Sequence, residues 1–141
     1  MTAELAPQAA GIPLPRPTVV SQPFWDGCRR AELLFQRCAV CATANFLPTA
    51  ACRACLSGQL DWERSAGRGT VYSWTVVHRP QTPAFSVPYA VAIIDLDEGY
   101  QMMSNLIGLP PEEVQVDLRV QVDFRELTDE ITLPYFRPEE A

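Results

Sequence analysis

Two closely spaced cysteine pairs, Cys38-Ala39-Val40-Cys41 and Cys52-Arg53-Ala54-Cys55, decide the fold of the first half of this chain. Each Cys-x-x-Cys pair can form a tight knuckle that turns two thiolates toward one point. The ten residues between the pairs suffice for a short loop or hairpin that brings the second knuckle back to the first. The spacing therefore predicts one structural zinc ion per chain, held tetrahedrally by Cys38, Cys41, Cys52 and Cys55.

Two other interpretations of the cysteine pairs are a pair of disulfides and a redox dithiol. A redox Cys-x-x-Cys motif does not normally occur in closely spaced duplicate, and nothing in the sequence suggests export to an oxidising compartment. A zinc site filled by four thiolates has no open position for substrate or water. We therefore expect this site to build structure and not to catalyse a reaction.

The length of the chain, 141 residues, suits one ordinary domain, or a small zinc module followed by a small barrel. No apolar run is long enough to span a membrane, so no membrane partner is expected. The N-terminus has no basic segment followed by an apolar one, as a signal peptide would. A cytoplasmic location follows as the default, where reduced thiols suit zinc binding.

The charge is acidic and unevenly distributed. The net charge is -6, and all eleven basic residues are Arg. Residues 1–66 carry six Arg and five acidic residues, whereas residues 67–141 carry five Arg and twelve acidic residues. Binding to a phosphate backbone needs a basic surface, so the second half is a poor candidate for nucleic-acid binding.

The first twenty residues are rich in Pro and Ala and lack apolar periodicity. They are typical of a flexible or extended tail that could pack along a partner. Ser21 can cap a helix over residues 22–31, on which Phe24, Trp25 and Cys28 fall on one face. Whether this aromatic face packs on its own domain or on another chain stays open.

The segment 21–66 is predicted to contain this helix and a zinc ribbon. Residues 33–37 form a predicted strand that leads into the first knuckle, and Phe46-Leu47-Pro48 follows that knuckle. Residues 60–64 alternate between apolar and polar types and predict a strand that leaves the ribbon. Gly67 and Gly69 mark the boundary with the next domain.

The segment 67–141 is predicted to be a second, all-β domain. Its predicted strands are residues 70–78, 89–94, 100–107, 119–126 and 131–136. Prolines make residues 80–88 a loop, and residues 110–113 suit one turn of helix. Five strands with a helical turn between the third and fourth predict an OB-fold barrel, so the fold class is mainly β.

Several motifs in order resemble the DUF35 family of zinc-ribbon and OB-fold proteins associated with acyl-CoA. They are Phe24-Trp25, Phe35-Gln36-Arg37-Cys38-x-x-Cys41, Phe46-x-Pro48, Cys52-x-x-Cys55, Gly69-Thr70-Val71-Tyr72-Ser73 and the run from Pro88 to Gly99. The resemblance covers about residues 22–137. It implies an N-terminal helical segment, a rubredoxin-like zinc ribbon and a C-terminal five-stranded OB fold.

The resemblance also implies a working context. Members of the family are usually small accessory subunits of thiolase-like enzymes, and one version is fused to a MaoC-like hydratase domain. This chain looks similar to the partners of lipid-transfer-protein-type aldolases, which cleave steroid side chains by a retro-aldol reaction on a CoA thioester. A partner role with a thiolase or an acyltransferase of another acyl-CoA pathway is the alternative. Symmetry suggests an α2β2 assembly with a thiolase-fold dimer.

Few residues are candidates for catalysis or ligand binding. His78 could be a general base, and Arg79 could clamp a CoA phosphate, although the simpler interpretation is an inert pair at a strand end. Cys28 is expected to be a buried apolar residue. The acidic cluster Asp95, Asp97 and Glu98 is expected to serve a hairpin turn and not a metal.

Other side chains allow more than one interpretation. The acidic residues around the last hairpin would face solvent or a basic partner; they are Asp123, Glu126, Asp129 and Glu130. Some large aromatic residues near segment ends would serve an interface or the core, namely Trp25, Phe85, Tyr135 and Phe136.

We expect an accessory subunit that is not catalytic alone, whose helix and ribbon contact a thiolase-fold partner and whose barrel helps to form a channel for acyl-CoA. One alternative is a single-stranded nucleic-acid binder in which Tyr72, Trp74 and Phe124 stack on bases. Another is an enzyme that uses His78.

Overall fold

The computed structural model describes residues 3–140, and it divides them into a helix with a three-stranded ribbon and a five-stranded barrel. The ends of two predicted segments, residues 1–2 of the tail and residue 141 of the barrel domain, lie outside the described residues. In chain order the elements are α1 (Gln22–Arg29), β1 (Leu34–Cys38), β2 (Ala44–Asn45), β3 (Leu60–Arg64), β4 (Arg68–Val77), β5 (Tyr89–Leu96), β6 (Gln101–Leu106), a 3-10 turn (Pro111–Glu113), β7 (Arg119–Glu126) and β8 (Thr132–Pro138).

Helix α1 ends two residues before its predicted end. Ala31 has a φ of 60°, in the left-handed region, and its N–H bonds to the Cys28 carbonyl at 3.1 Å, which closes the helix. Ser21 precedes the helix, but its hydroxyl accepts the N–H of Thr18 and caps nothing. Gly27 is needed because a Cβ there would lie 2.9 Å from the Leu34 side chain. The helix therefore packs closely on the start of β1.

The ribbon is an antiparallel sheet with the strand order β2-β1-β3. Its central strand, β1, pairs Leu34 with Arg64 at one end and Cys38 with Leu60 at the other. Arg37 on β1 forms a salt bridge with Glu63 on β3, and its Nη1 donates to the Ala42 carbonyl at 2.9 Å. These contacts hold the first knuckle at the end of the sheet.

The second domain is a closed barrel with the strand order β4-β5-β6-β8-β7, as expected for an OB fold. Strands β4 and β5 pair antiparallel from Gly69–Leu96 to Val77–Tyr89, with a bulge between Val71 and Ser73. The interior is filled by fully buried side chains from every strand, among them Val71, Ile94, Leu106, Val120 and Phe136. The predicted fold class, mainly β with a zinc ribbon and an OB barrel, is confirmed.

The barrel has a seam where β6 meets β8, because these strands pair at a single position, Leu106 with Phe136. The Phe136 carbonyl accepts the N–H of Ile107, so Phe136 points its backbone groups toward β6. Backbone groups alternate in direction along a strand, so Pro134 faces β6 as well. Pro134 has no N–H to donate, and the ladder stops. The Ser104 hydroxyl donates to the Pro134 carbonyl at 2.6 Å and bridges the seam.

An aromatic layer joins the ribbon to the barrel. The ring of Tyr100, from the barrel, stacks on Phe35 at 4.8 Å between centroids and on Phe46 at 5.4 Å. Phe24 of α1 makes an edge contact with Phe46 at 5.3 Å. Phe24 is buried, so this part of the aromatic helix face packs within its own chain.

Part of the predicted flexible tail lies against the barrel. Leu5 is buried, its N–H donates to the Leu109 carbonyl, and its own carbonyl accepts the N–H of Gly108, both at 2.9 Å. Gln8 is also buried and bonds to Ser86 and Tyr135. The sequence does not reveal this attachment because the tail's partners lie about 100 residues away along the chain.

Candidate zinc centre and an apolar cleft

The two knuckles bring the four predicted cysteines into one cluster. Their Sγ atoms all lie within 4.8 Å of one another. The Cys38–Cys55 and Cys41–Cys52 Sγ pairs are each separated by 3.6 Å. Sulfur atoms at about 2.3 Å from a tetrahedral zinc ion are about 3.8 Å apart. The four thiols therefore could hold a zinc ion with little movement.

The two knuckles share one backbone pattern. Ala42 and Leu56, each four residues after the first cysteine of its knuckle, both have a φ of 66°. Their N–H groups bond to the carbonyls of Cys38 and Cys52, each at 2.9 Å. In addition, the N–H of Val40 donates to the Cys38 Sγ, and the N–H of Ala54 donates to the Cys52 Sγ, each at 3.4 Å. Such N–H donors favour thiolates, the form that binds metal.

Asn45 supports the cluster, and sequence reasoning missed it. Its buried side-chain amide donates to the Cys52 Sγ at 3.5 Å, and its oxygen accepts the N–H of Arg53 at 2.8 Å. The pKa of the Cys52 thiol is lowered to about 6, chiefly by the backbone N–H of Cys55, with burial acting in the opposite direction and Ala54 and Asn45 helping. An Asn in the segment between the two knuckles, four residues after Cys41, was the available signal.

The cluster has the ligand chemistry of a structural metal site. A set of four sulfur ligands suits zinc, and a site closed by four protein ligands leaves no position for a reacting molecule. Asn45 and the knuckle N–H groups supply the outer hydrogen bonds that such sites use to orient their ligands. The arrangement can stabilise the ribbon and offers no route to chemistry.

His78 and Arg79 lie just after the end of β4, and both side chains are exposed. Within residues 3–140, neither side chain has a hydrogen bond or an ion pair of ordinary length. His78 therefore has no neighbouring group to orient it as a base, and neither residue lines the apolar cleft described below.

The acidic cluster serves the hairpin and its surroundings. Glu98 accepts hydrogen bonds from the Ser65 hydroxyl and the Ala66 N–H, each at 2.7 Å. Asp97 pairs with Arg119, whose guanidinium lowers the pKa of that carboxyl. In the part of the chain that the structure describes, the four cysteines are the only close group of potential metal ligands.

Cys28 is fully buried on the inner face of α1. Burial raises the pKa of its thiol to about 12. A thiol in this state is a poor nucleophile, which agrees with the expectation of an apolar packing residue.

An apolar cleft of about 310 Å³ lies beside the barrel seam. Strands β6 and β8 form one wall, and the aromatic residues Trp25, Phe46 and Phe85 contribute to the others. The N-terminal segment closes one side with Gln8 and Ile12. Sequence reasoning did not find this cleft; the available signal was Pro134 within an otherwise regular strand.

The described helix α1 has eight residues and is too short and too polar to cross a bilayer.

The sequence did not decide between a core role and an interface role for four aromatic residues. Of these four, only Phe136 belongs wholly to the barrel core. Trp25 is half-buried and lines the cleft, as does the buried Tyr135. Phe85 lines the cleft from the 80–88 loop and stacks on Tyr89 at 5.8 Å.

Two family models match consecutive parts of the chain. Residues 25–61 match the model of the rubredoxin-like zinc ribbon domain of ChsH2, and residues 62–125 match that of the C-terminal OB-fold domain of ChsH2. The boundary between the models falls in β3, close to the change from ribbon to barrel.

Two curated relatives are enzyme subunits that are longer than this chain. A probable enoyl-CoA hydratase alpha subunit of Thermomonospora curvata is 40% identical over 128 residues, which is 88% of this chain and 40% of that protein. The 3-oxo-4,17-pregnadiene-20-carboxyl-CoA hydratase alpha subunit of Mycobacterium tuberculosis is 34% identical over 106 residues, 75% of this chain and 34% of that protein. This chain thus spans less than half the length of both relatives.

Two further matches extend over most of both chains. A solved structure of the Ltp2-ChsH2(DUF35) aldolase contains a chain that is 37% identical, with a TM-score of 0.82, covering 89% of this chain and 98% of that one. A DUF35 domain-containing scaffold protein of Methanocaldococcus jannaschii is 31% identical over 100 residues, 70% of this chain and 71% of that protein. With both domains matched in order, this chain belongs to the DUF35 family of zinc-ribbon and OB-fold proteins.

Proposed function

We propose that this protein is an accessory subunit of a thiolase-fold enzyme that acts on an acyl-CoA. The observation that carries the proposal is the 37% identity to a chain of the Ltp2-ChsH2(DUF35) aldolase, 98% of which is covered at a TM-score of 0.82. A match of this extent includes the ribbon, the barrel and their junction. It supports the proposal that this chain docks on a partner in the same way.

The specific reaction we propose is retro-aldol cleavage of a steroid side-chain CoA thioester, carried out by the partner. The similarity to a chain of an aldolase supports the reaction class, and the similarity to the 3-oxo-4,17-pregnadiene-20-carboxyl-CoA hydratase alpha subunit supports a steroid acyl-CoA. The proposed assembly is an α2β2 heterotetramer, since a two-fold enzyme dimer presents two equivalent docking surfaces. Each small subunit would carry one zinc ion on Cys38, Cys41, Cys52 and Cys55.

The division of labour follows from the side chains on this chain. The cysteine cluster is closed to substrate, and His78 is exposed without an orienting partner. Neither group meets the geometric needs of acid–base or nucleophilic catalysis. We therefore assign the bond cleavage to the partner and a structural role to this subunit, and we assign Arg79 as a contact for CoA phosphate.

A second proposed setting is an acyl-CoA hydratase complex. It is favoured by the 40% identity to a probable enoyl-CoA hydratase alpha subunit. The matched region covers 40% of the length of that subunit. In that setting this chain would be the accessory subunit of a hydratase that acts on an acyl-CoA. The two proposals predict different companions for this chain.

The experiment is native mass spectrometry on the protein isolated from its own cells, followed by reconstitution. We expect one zinc ion per chain and a thiolase-sized companion, and we expect turnover of the acyl-CoA only when both subunits are present. Full turnover by the companion alone would refute the proposal. A hydratase companion would favour the second setting, and tight, salt-sensitive oligonucleotide binding would revive a nucleic-acid role.

Variants of the reconstituted complex test the assignment of roles. His78→Ala should leave turnover within about twofold of wild type, because the side chain has no partner that would make it a base. Arg79→Ala should raise the KM for acyl-CoA without changing kcat if the residue contacts CoA phosphate. A collapse of turnover in His78→Ala, with assembly intact, would move the chemistry onto this chain.

A further inference from the structure

The apolar cleft beside the barrel seam has an unusual electrostatic character for this protein. Of the chain's residues, 20% are charged, yet none of the fourteen residues that line the cleft carries a charge. The lining consists mainly of aromatic side chains, aliphatic side chains and Met. A ligand that fits such a lining is neutral and mostly apolar.

The cleft also holds unused hydrogen-bond donors. The Tyr135 hydroxyl, on a residue that is 3% exposed, accepts the Gln8 backbone N–H at 3.0 Å. Among the described residues, no acceptor receives the proton of this hydroxyl. The Trp25 indole N–H and the half-buried Asn105 amide also lack partners within residues 3–140. A buried hydroxyl with a free proton is costly unless something accepts it.

The hydrogen bonds of Gln8 fix the position of the Tyr135 hydroxyl. The Gln8 side chain donates to the Ser86 carbonyl at 3.0 Å and accepts the Ser86 N–H at 2.8 Å. The amide is thereby held at both its nitrogen and its oxygen, and the backbone N–H of the same residue donates to the Tyr135 hydroxyl oxygen. The tail and the 80–88 loop thus orient the hydroxyl at the edge of the cleft.

From these observations we propose that the cleft binds a neutral, largely apolar molecule that bears a carbonyl oxygen, with Tyr135 and Asn105 as hydrogen-bond donors to that oxygen. The volume of about 310 Å³ lies at the lower end of the range for ligand clefts, about 300–1,000 Å³, and suits a compact ring system. The inference rests on the proposed function in one respect, namely that the ligand is the acyl part of the substrate or product.

The same features exclude the CoA part as the occupant. CoA carries several phosphate charges, which proteins bind with Arg, Lys or helix N-termini. No Arg lines the cleft, and Arg79 lies outside it. The cleft would therefore recognise the apolar end of an acyl-CoA, while any contact with phosphate would be made elsewhere.

The test is an NMR titration of the full zinc-loaded chain with 4-androstene-3,17-dione, a flat neutral diketone. We expect the side-chain N–H signals of Trp25 and Asn105 to shift and the affinity to stay constant between low and high salt, because no charge pairing is involved. Tyr135→Phe should weaken binding about two- to tenfold, the effect of one neutral hydrogen bond. Tyr72→Phe is the matched control, since Tyr72 is 57% exposed and does not line the cleft.

Asn105→Leu is the second variant, and it decides the matter if Tyr135→Phe fails to fold; it should weaken binding by a similar factor. The inference is overturned if the diketone does not bind up to its solubility limit, if folded variants bind as tightly as wild type, or if free CoA competes. Assembly with the enzyme subunit is measured separately. Intact assembly without ligand binding would overturn this inference and leave the proposed function standing, whereas loss of assembly in both cleft variants would identify the cleft as a protein interface.

Discussion

The ribbon and the barrel achieve stability by different means. Between residues 38 and 59 the buried residues are Cys38, Ala44, Asn45 and Cys52, so this part has almost no apolar interior. Its larger aliphatic side chains are in solvent: Val40 is 62% exposed and Leu56 is 77% exposed. The barrel instead encloses fully buried residues from each strand. A metal site can thus replace a hydrophobic core where the chain is too short to form one.

The two regions meet at the aromatic layer. Phe35 and Phe46 come from the ribbon side, and Tyr100 comes from the barrel. Offset and edge contacts between such rings contribute about 0.5–1.5 kcal/mol beyond their buried area. The layer is therefore strong enough to hold the ribbon in place, but loss of the ribbon need not unfold the barrel.

Loss of the metal should have the largest effect and should separate the two regions. Structural zinc sites contribute about 10–16 kcal/mol of binding free energy. Chelation, or Cys52→Ser, is expected to unfold residues 38–59 while the barrel stays folded. The amide NMR signals of Val40 and Leu56 should collapse toward random-coil positions, and those of Ile94 and Val120 should stay dispersed.

Cys28→Ala is the matched control for the metal prediction, because Cys28 is a buried cysteine outside the cluster. This variant should retain one zinc ion per chain by elemental analysis, whereas Cys52→Ser should lose most of its zinc. Ribbon signals that survive complete removal of zinc would contradict the comparison.

A cavity in the barrel should produce the next largest loss of stability. In contrast to metal removal, it should destabilise the barrel and leave the zinc site intact. Phe136 is fully buried, and Phe136→Ala is expected to lower the free energy of unfolding by about 3–5 kcal/mol. Guanidinium denaturation followed by circular dichroism measures the loss. The zinc content of the folded variant should not change, and Val116→Ala, at an exposed site, should alter stability by less than about 0.5 kcal/mol.

The junction between the regions offers a smaller, stabilising change. The Tyr100 hydroxyl is buried and has no hydrogen-bond partner in bonding geometry within the described residues. Burial raises the pKa of Tyr100, and the nearby Ser65 hydroxyl offsets this only in part. Tyr100→Phe keeps the ring stack and removes the unsatisfied group, so unfolding should cost about 1 kcal/mol more. A loss of stability in thermal denaturation would show that the hydroxyl is satisfied.

Acid titration should give the smallest effect in the barrel. Arg125 chiefly, with Arg137, holds the pKa of Asp123 below its usual range, and burial opposes this. The carboxylate therefore adds stability at pH above about 4, and the contribution is lost as the pH falls through the lowered pKa. Asp123→Asn should remove less than about 1 kcal/mol of this acid dependence.

The control for the acid titration is Asp129→Asn, at an exposed hairpin tip without an ion pair of ordinary length in the described chain. It should leave the pH profile of unfolding unchanged. A metal-dye assay run on the same samples should detect zinc release at a higher pH than the barrel's transition, because protons compete directly for the thiolates. Release and unfolding at one pH would break the distinction between the regions.

Local patterns explain which features could be predicted. The alternation of apolar and polar residues over 119–126 predicts β7 with correct limits, although in the barrel only Val120 is buried and residues 121–124 are all half-buried. The cysteine spacing predicts the cluster because each knuckle is formed by residues close together in the chain. The motifs from Phe24 to Gly99 supply the family and its order of domains. These signals each lie within a few residues of sequence.

Features that depend on distant contacts could not be predicted. The bond between Gln8 and Tyr135 joins residues 127 positions apart, so nothing near Gln8 signals that the tail is attached. The cleft needs the tail, the helix and two strands at once. The helix end was missed for a local reason, since Ala31 adopts a left-handed conformation that Ala rarely takes.

The missing N–H of Pro134 also bears on how this chain behaves at high concentration. A seam with a single paired position leaves parts of two strand edges unpaired, and unpaired edges invite strands of other molecules to pair and aggregate. Because Pro134 cannot donate toward the seam and Ser104 already occupies its carbonyl, an incoming strand would find an incomplete template. The same residue that shortens the β6–β8 ladder thus protects the barrel from fibre-like self-association.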